Sequence, residues 1–228
     1  MFAIKNRWPS KHPERIQLYS LNTPNGIKVA LALEEMQLAY EAHTVDITQG
    51  DQHTAEYKAL NFNNKIPSII DPNGPDNQPI ALTESVVILD YLADKTASFK
   101  PTSLREQLEC RQWLTFQAAH LGPMFGQFGH FYMYAKEQCK DPYPMERYRK
   151  ESQRLLGILD QRLSQQAYLL NCGYSIVDMA CLPWVDCLEG HYQAGDILDL
   201  PSYKHVSRWL TACTQRPAYL RARDVCAL

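Results

Sequence analysis

Cysteine is missing from the first 109 residues of this 228-residue chain. The seven that follow, Cys110, Cys139, Cys172, Cys181, Cys187, Cys213 and Cys226, are odd in number, and no two are spaced Cys-x-x-Cys. That spacing excludes a protein dithiol motif and a zinc knuckle. It fits scattered reduced thiols in a cytoplasmic protein. An excess of charge of either sign is also missing. With 23 Lys and Arg against 25 Asp and Glu, the net charge is −2, which argues against a nucleic-acid footprint or a basic membrane patch. No apolar run approaches the roughly 18–20 residues that a membrane-spanning helix needs. The opening stretch MFAIKNRWPSKHPERIQ has no apolar h-region, so no secretory signal is expected. Residues 1–15 read as an arm, either ordered or frayed. Internal repeats and low-complexity segments are absent.

What is present divides into two unlike parts. Hydrophobic residues make up 45% of the chain, enough for one large or two small cores. From residue 16 to about 95 short apolar runs alternate with helical periodicity. IQLYSL reads as a strand, residues 25–36 as a helix and residues 40–46 as a second strand. A short helix is expected near residues 54–60. PSIID (67–71) and PIALT (79–83), joined by the turn-rich DPNGPDNQ, read as a hairpin. Residues 84–92 read as a third helix. The order β-α-β-α-β-β-α defines an α/β layer over residues 16–96. Residues 97–103, with Pro101 and small polar residues, read as a linker. Residues 104–228 read as all-helical, with segments at 104–127, 143–165, 175–188 and 203–215, the last stopped near Pro217. Tyr148, Leu155, Leu156, Leu159 and Leu163 form the apolar stripe of the second segment.

The first strand breaks at N-T-P-N-G and feeds the first helix. That turn contains no Cys, Ser, Tyr or His. Within T-P-N-G, Thr23 and Asn25 are the only side chains with hydrogen-bonding chemistry. Further along, Ser85 stands at a helix start, where its N–H and hydroxyl can bind a carboxylate at the positive end of the helix. Glu84 beside it can take an ammonium by a charge-assisted hydrogen bond. The same pair can equally be a plain helix cap before an apolar run. Ile66, preceding Pro67, is biased toward extended backbone. It can offer its N–H and C=O to a peptide ligand laid alongside as an added strand. Ser175 and Asp178 have the spacing of a capping box and are assigned to folding.

The element order and three signatures within it resemble the cytosolic glutathione transferases over about residues 16 to 222. NKIPSIID (64–71) is similar to the segment that enters the family's third strand through a cis-proline. ALTESVVILDYL (81–92) is similar to its Glu-Ser glutathione motif. YSIVDMA (174–180) is similar to its N-capping box and hydrophobic staple. TPNG (23–26), HLGPMFGQ (120–127) and MERY (145–148) resemble the nu-class subgroup, known for glutathione-dependent disulfide-bond reductase activity. The resemblance implies a thioredoxin-like N-terminal domain followed by an all-α C-terminal domain, a homodimer, and glutathione, reduced or as its disulfide, as the cofactor. It implies that Thr23 and Asn25 hold the glutathione sulfur and that Ile66 and Pro67 present backbone to the cysteinyl unit. Glu84 and Ser85 would take the γ-glutamyl end, and Gln52 the glycine end. Arg147 would reach the glutathione site, within one subunit or from the partner. No metal, nucleic acid or membrane is implied.

Neither Thr nor Asn is a nucleophile or strong base at neutral pH, but both donate hydrogen bonds. The nucleophile is therefore expected to be glutathione's own sulfur. A donor to an ionised group contributes about 1.5–3 kcal/mol, and one pKa unit is about 1.36 kcal/mol. One or two donors would thus lower a thiol from about 8.5 toward 7. The thiolate can then attack a small-molecule disulfide, with a second glutathione resolving the mixed disulfide, or an electrophilic carbon. Disulfide-bond reduction is the leading expectation. A conventional transferase or organic-hydroperoxide reductase is the second, and a non-catalytic glutathione-binding regulator the third. A first domain without cysteine offers no resolving thiol of its own. His120, His130, Phe131, Tyr132 and Tyr134 are candidates for the second-substrate wall or for helix packing.

Overall fold

The alternation across residues 16–83 becomes a four-stranded sheet in the computed structural model, which describes residues 2–228. Its strands are β1 (Ile16–Ser20), β2 (Tyr40–Thr44), β3 (Ser68–Asp71) and β4 (Ile80–Thr83), in the order β2-β1-β3-β4. β1 runs parallel to β2 and antiparallel to β3, which pairs antiparallel with β4. As a central strand β1 is buried along its whole length, which is why IQLYS reads as an apolar run rather than as an alternation. The connecting helices are α1 (Pro24–Glu35), α2 (Ala55–Leu60) and α3 (Ser85–Thr96), with α1 packed on α3. The expected β-α-β-α-β-β-α order is observed.

Of the stretch 1–15, residues 2–15 pack as an ordered arm. A 3₁₀ turn at Ala3–Asn6 packs on α2, and Ile4 joins Tyr19, Val45, Tyr57 and Ile70 in one cluster. Trp8 donates its Nε1–H to Thr44 O at 2.9 Å and meets Tyr19 and Tyr57 edge-on. The Lys11 and His12 N–H groups donate to Glu41 at 2.9 and 2.7 Å. The arm thus extends the first core.

The chain forms two compact units. One comprises the residues up to Ser98 together with Pro217–Leu228, and the other Phe99–Arg216. Residues 217–228, read from the sequence with the helical part, group with the first unit. Pro217 ends the preceding helix because it has no N–H to donate, yet it fits the first position of a new one, α10 (Pro217–Ala222). α10 packs on α1 and buries Ala218, Tyr219 and Ala222. Arg221 Nε donates to Glu34 Oε2 at 2.6 Å, while Tyr40 donates its hydroxyl to Glu34 Oε1 at 2.7 Å.

The second unit contains α4 (Leu104–Phe116), α5 (Gly122–Gly129), α6 (Pro142–Leu163), α7 (Ile176–Gly190), α8 (Gly195–Leu198) and α9 (Lys204–Thr214). The first helical segment runs on to Tyr134, beyond the expected end at 127, through π turns at Gln117–Leu121 and His130–Tyr134. Pro123 cannot donate to Ala119, and the Gly122 N–H bonds Gln117 O instead. The capping box at the start of α7 is formed. Asp178 is fully buried, and its carboxylate accepts from Leu169 N, Ser175 N, Ser175 Oγ and Trp209 Nε1 at 2.8–3.0 Å. Burial nevertheless pushes its pKa up to about 6 against those four donors.

Candidate functional site

Sheet topology brings seven of the eight candidate residues to one end of the first unit. β1 and β2 both finish there, β3 starts there and β4 finishes there, because Tyr19 faces Ser68 and Ser68 faces Thr83. The β1–α1 turn carries Thr23 and Asn25. The loop after β2 carries Gln52. Ile66 and Pro67 enter β3, and Glu84 and Ser85 leave β4. The eighth, Arg147, lies exposed on α6 in the other unit. It lines a cavity of about 560 Å³ with Met124, Tyr143, Tyr148 and Arg154.

The T-P-N-G turn is built by caps and close approach. Thr23 is extended and N-caps α1, its Oγ1 accepting from Gly26 N at 3.4 Å. A threonine hydroxyl that accepts there retains its own hydrogen to donate. Pro24 starts the helix with φ preset. Asn25, half-buried, is the next residue. Gly26 is required for space: a Cβ there would stand 1.9 Å from Leu21 O, the same carbonyl that accepts from Thr23 N at 2.7 Å.

The Ile66–Pro67 bond is cis, as the resemblance implies. Three buried polar side chains clamp the turn that contains it. Tyr57 donates its hydroxyl to Lys65 O at 3.0 Å and lies 3.2 Å from Ser68 Oγ. Asn61 Nδ2 donates to Lys65 O at 2.6 Å and to Ser68 Oγ at 3.0 Å. Burial pushes the Tyr57 phenol up to about 12, so it stays a neutral donor. Sequence reasoning missed this clamp. The four-residue spacing of Tyr57 and Asn61 on one helical face was the available signal.

Glu84 has φ 64° and ψ 110°. A non-glycine residue there is strained by about 1–3 kcal/mol, which typically marks a functional position. Its side chain is exposed and accepts from Asn63 Nδ2 at 3.5 Å. It does not cap α3, which weakens the plain-cap reading of the Glu84–Ser85 pair. Ser85 is the first residue of α3, and its Oγ accepts from Lys28 Nζ at 3.3 Å. Lys28 was also missed, although it is the one charge in the otherwise apolar run IKVALAL.

Gln52 sits in a 3₁₀ turn, Asp51–His53. Its Nε2 donates to Ile47 O at 3.4 Å, and its buried Oε1 has no hydrogen-bond partner among the described residues. Asp51 fixes this turn. It accepts from Asp46 N at 3.1 Å and pairs with Arg7 of the N-terminal arm.

The five second-substrate candidates sit among packed aromatics. Phe131 stacks on Tyr148 and Tyr132 on Phe128, at ring separations of 5.6 and 5.1 Å. Tyr134 bonds His191 at 2.6 Å, and His120 and His130 lie beside Phe116 and Phe131. The first unit also has a cysteine after all, because Cys226 belongs to it. Cys226 is buried beside Thr44 and the Ser20 backbone, and that burial pushes its thiol up to about 11. Such a thiol is a poor nucleophile at neutral pH. No disulfide links any two cysteines among the described residues.

Comparison with known proteins fits this geometry. The family profile described as Glutathione S-transferase, N-terminal domain, matches residues 23–95, and that of the C-terminal domain matches residues 121–217. The chain is 41% identical over 223 residues to the Escherichia coli (strain K12) disulfide-bond oxidoreductase YghU, covering 94% of this chain and 75% of that protein. A Burkholderia graminis glutathione transferase, solved with two glutathione molecules per subunit, is 49% identical with a TM-score of 0.96. That likeness covers 98% of this chain and 93% of that one. A Pseudomonas putida glutathione transferase, solved with one glutathione disulfide per subunit, is 46% identical with a TM-score of 0.95, covering 97% and 96%.

Proposed function

The chain belongs to the glutathione S-transferase family, and from that premise we propose that it is a glutathione-dependent disulfide-bond reductase whose nucleophile is the sulfur of bound glutathione. The observation that carries this reading is the β1–α1 turn. It presents a threonine hydroxyl and an asparagine amide, and no thiol, phenol or imidazole, at the sheet end where Ile66–Pro67 and Glu84–Ser85 also converge. Relatives solved with two glutathiones or with glutathione disulfide support a site that holds both partners of a thiol–disulfide exchange.

In this reading glutathione lies along the entry to β3. Its cysteinyl amide pairs with the Ile66 backbone, as an added strand would. Its γ-glutamyl carboxylate takes the Ser85 N–H and hydroxyl at the start of α3, and its ammonium takes Glu84. Gln52 receives the glycine end. Thr23 and Asn25 donate to the sulfur. Two donors to an ionised sulfur are enough to bring its pKa from about 8.5 toward 7. The thiolate attacks one sulfur of a small disulfide, forming a glutathione mixed disulfide and releasing the other half as a thiolate. A second glutathione thiolate attacks the glutathione sulfur of that mixed disulfide. It releases the second thiol and leaves glutathione disulfide in the cleft. No protein cysteine takes part, which agrees with the buried, poorly acidic Cys226.

Hydroxyethyl disulfide assayed beside a chlorodinitrobenzene-type electrophile tests the reading. Reductase turnover should exceed conjugation, and Asn25→Ala should lose most of the reductase rate. Background rates on both substrates would leave a glutathione-binding regulator. Faster conjugation than reduction would favour the conventional transferase.

A further inference from the structure

Lys28 is 2% exposed, in a helix whose neighbouring residues Val29, Ala30, Leu31, Ala32 and Leu33 are all buried as well. Lysine is almost never buried so completely without a polar role. It stands three residues after Asn25 on α1. One of its contacts crosses to α3, where Nζ lies 3.3 Å from Ser85 Oγ. A lysine ammonium has donors only, so Ser85 must act as the acceptor in this pair. Its own hydroxyl hydrogen is then directed elsewhere. The same contact ties α1, whose start carries the proposed sulfur donors Thr23 and Asn25, to the first turn of α3.

We propose that Lys28 is a positioning residue for the γ-glutamyl carboxylate of glutathione. It occupies the acceptor side of the Ser85 hydroxyl, so that the hydroxyl donates to the ligand. It also sets a positive charge one hydroxyl away from that carboxylate, beside the positive end of α3. The proposal rests on the reading of Ser85 as the carboxylate's binder. It predicts a loss confined to one functional group of the ligand, which a purely structural lysine would not produce.

The test compares glutathione with its analogue 4-aminobutyryl-Cys-Gly, which lacks only the γ-glutamyl carboxylate. Binding to the full-length protein is measured by calorimetry for the native chain, Lys28→Met and Ser85→Ala, with thermal unfolding checked for each. The native protein should prefer glutathione. Lys28→Met should weaken glutathione about tenfold or more, the scale of a hydrogen bond to a charged group, and leave the analogue nearly unchanged. KM for glutathione should rise with it, while kcat at saturation holds. If Lys28→Met fails to fold, Lys28→Gln is read by the same ratio. Equal losses for both ligands, or none, would overturn the positioning role. If Ser85→Ala erases the preference while Lys28→Met keeps it, the reading of Ser85 stands and the proposal for Lys28 falls. If the native protein does not prefer glutathione, both fall.

Discussion

Gly26→Ala sets two opposing effects against each other, and the geometry decides between them. In an unconstrained helix the change would gain about 1 kcal/mol of helix propensity. Here the added Cβ would lie 1.9 Å from Leu21 O and 2.5 Å from Ser20 Oγ. The serine hydroxyl can rotate away, but the carbonyl cannot. Restoring a 3.0 Å contact requires the start of α1 to move by about 1 Å from the end of β1. Overpacking of this kind costs about 1–3 kcal/mol, and more when the obstacle is backbone. With a backbone carbonyl as the obstacle the cost falls at the upper end, about 2–3 kcal/mol, so the net effect is a destabilisation of about 1–2 kcal/mol. For a chain of this size that is a fall of roughly 2–8 °C in Tm. The displaced residues include Thr23 and Asn25, and a shift of about 1 Å in a reacting group costs on the order of a hundredfold in rate. Thermal unfolding and a hydroxyethyl disulfide assay on the same preparation measure both. A Tm at or above the native value with undiminished turnover would refute the close-approach argument and the role given to this turn.

Three further outcomes are expected. Glu84→Gly should raise Tm by relieving a strained backbone, while weakening glutathione at least tenfold through loss of the carboxylate; a lower Tm would show that φ 64° is not strained here. Burial lowers the pKa of His43, which stacks on Tyr19 and bonds Gln17 Oε1 at 2.9 Å. The folded state therefore binds this proton less readily than the unfolded chain, and stability should fall as pH drops below about 6.5, until the lower folded pKa is passed. Buried Asp178, whose carboxyl is pushed up to about 6, opposes this slope by adding stability on acidification. The His43 contribution is therefore read as the difference in urea midpoint between the native chain and His43→Gln from pH 7.5 to 5; a difference that does not change with pH would assign the slope to other groups. A variant with all seven cysteines changed to Ser or Ala, once shown to fold, should keep its reductase turnover. Abolished turnover would place the nucleophile on the protein.

Much of the fold was legible because each element carries its own local signal. The apolar run of β1, the Ser-x-x-Asp box of α7 and the turn-rich DPNGPDNQ hairpin all form where their chemistry placed them. The limits of local reading are equally physical. Pro217 signals a stop, yet the residue that ends one helix begins the next, and only tertiary packing on α1 shows which unit owns it. The arm carries no periodicity, so its order depends on long-range contacts such as Trp8 with Thr44 and Arg7 with Asp51. At the candidate site, the residues that would touch a ligand lie in short motifs. The residues that hold those motifs in place do not. Tyr57, Asn61 and Lys28 act across gaps of four to 57 positions, and beyond the Tyr57–Asn61 spacing no local pattern announces such pairings.

The central claim is that the protein borrows its nucleophile and lowers that sulfur's pKa with donors from the β1–α1 turn. The ultraviolet absorbance of the thiolate, titrated for glutathione bound to a variant free of cysteine, tests it most directly. The bound sulfur should titrate near 7, against about 8.5 for a free thiol, and Thr23→Ala combined with Asn25→Ala should return it toward the free value. A bound sulfur that titrates like free glutathione in the native turn, or an equally low value in the doubly substituted one, would contradict the account.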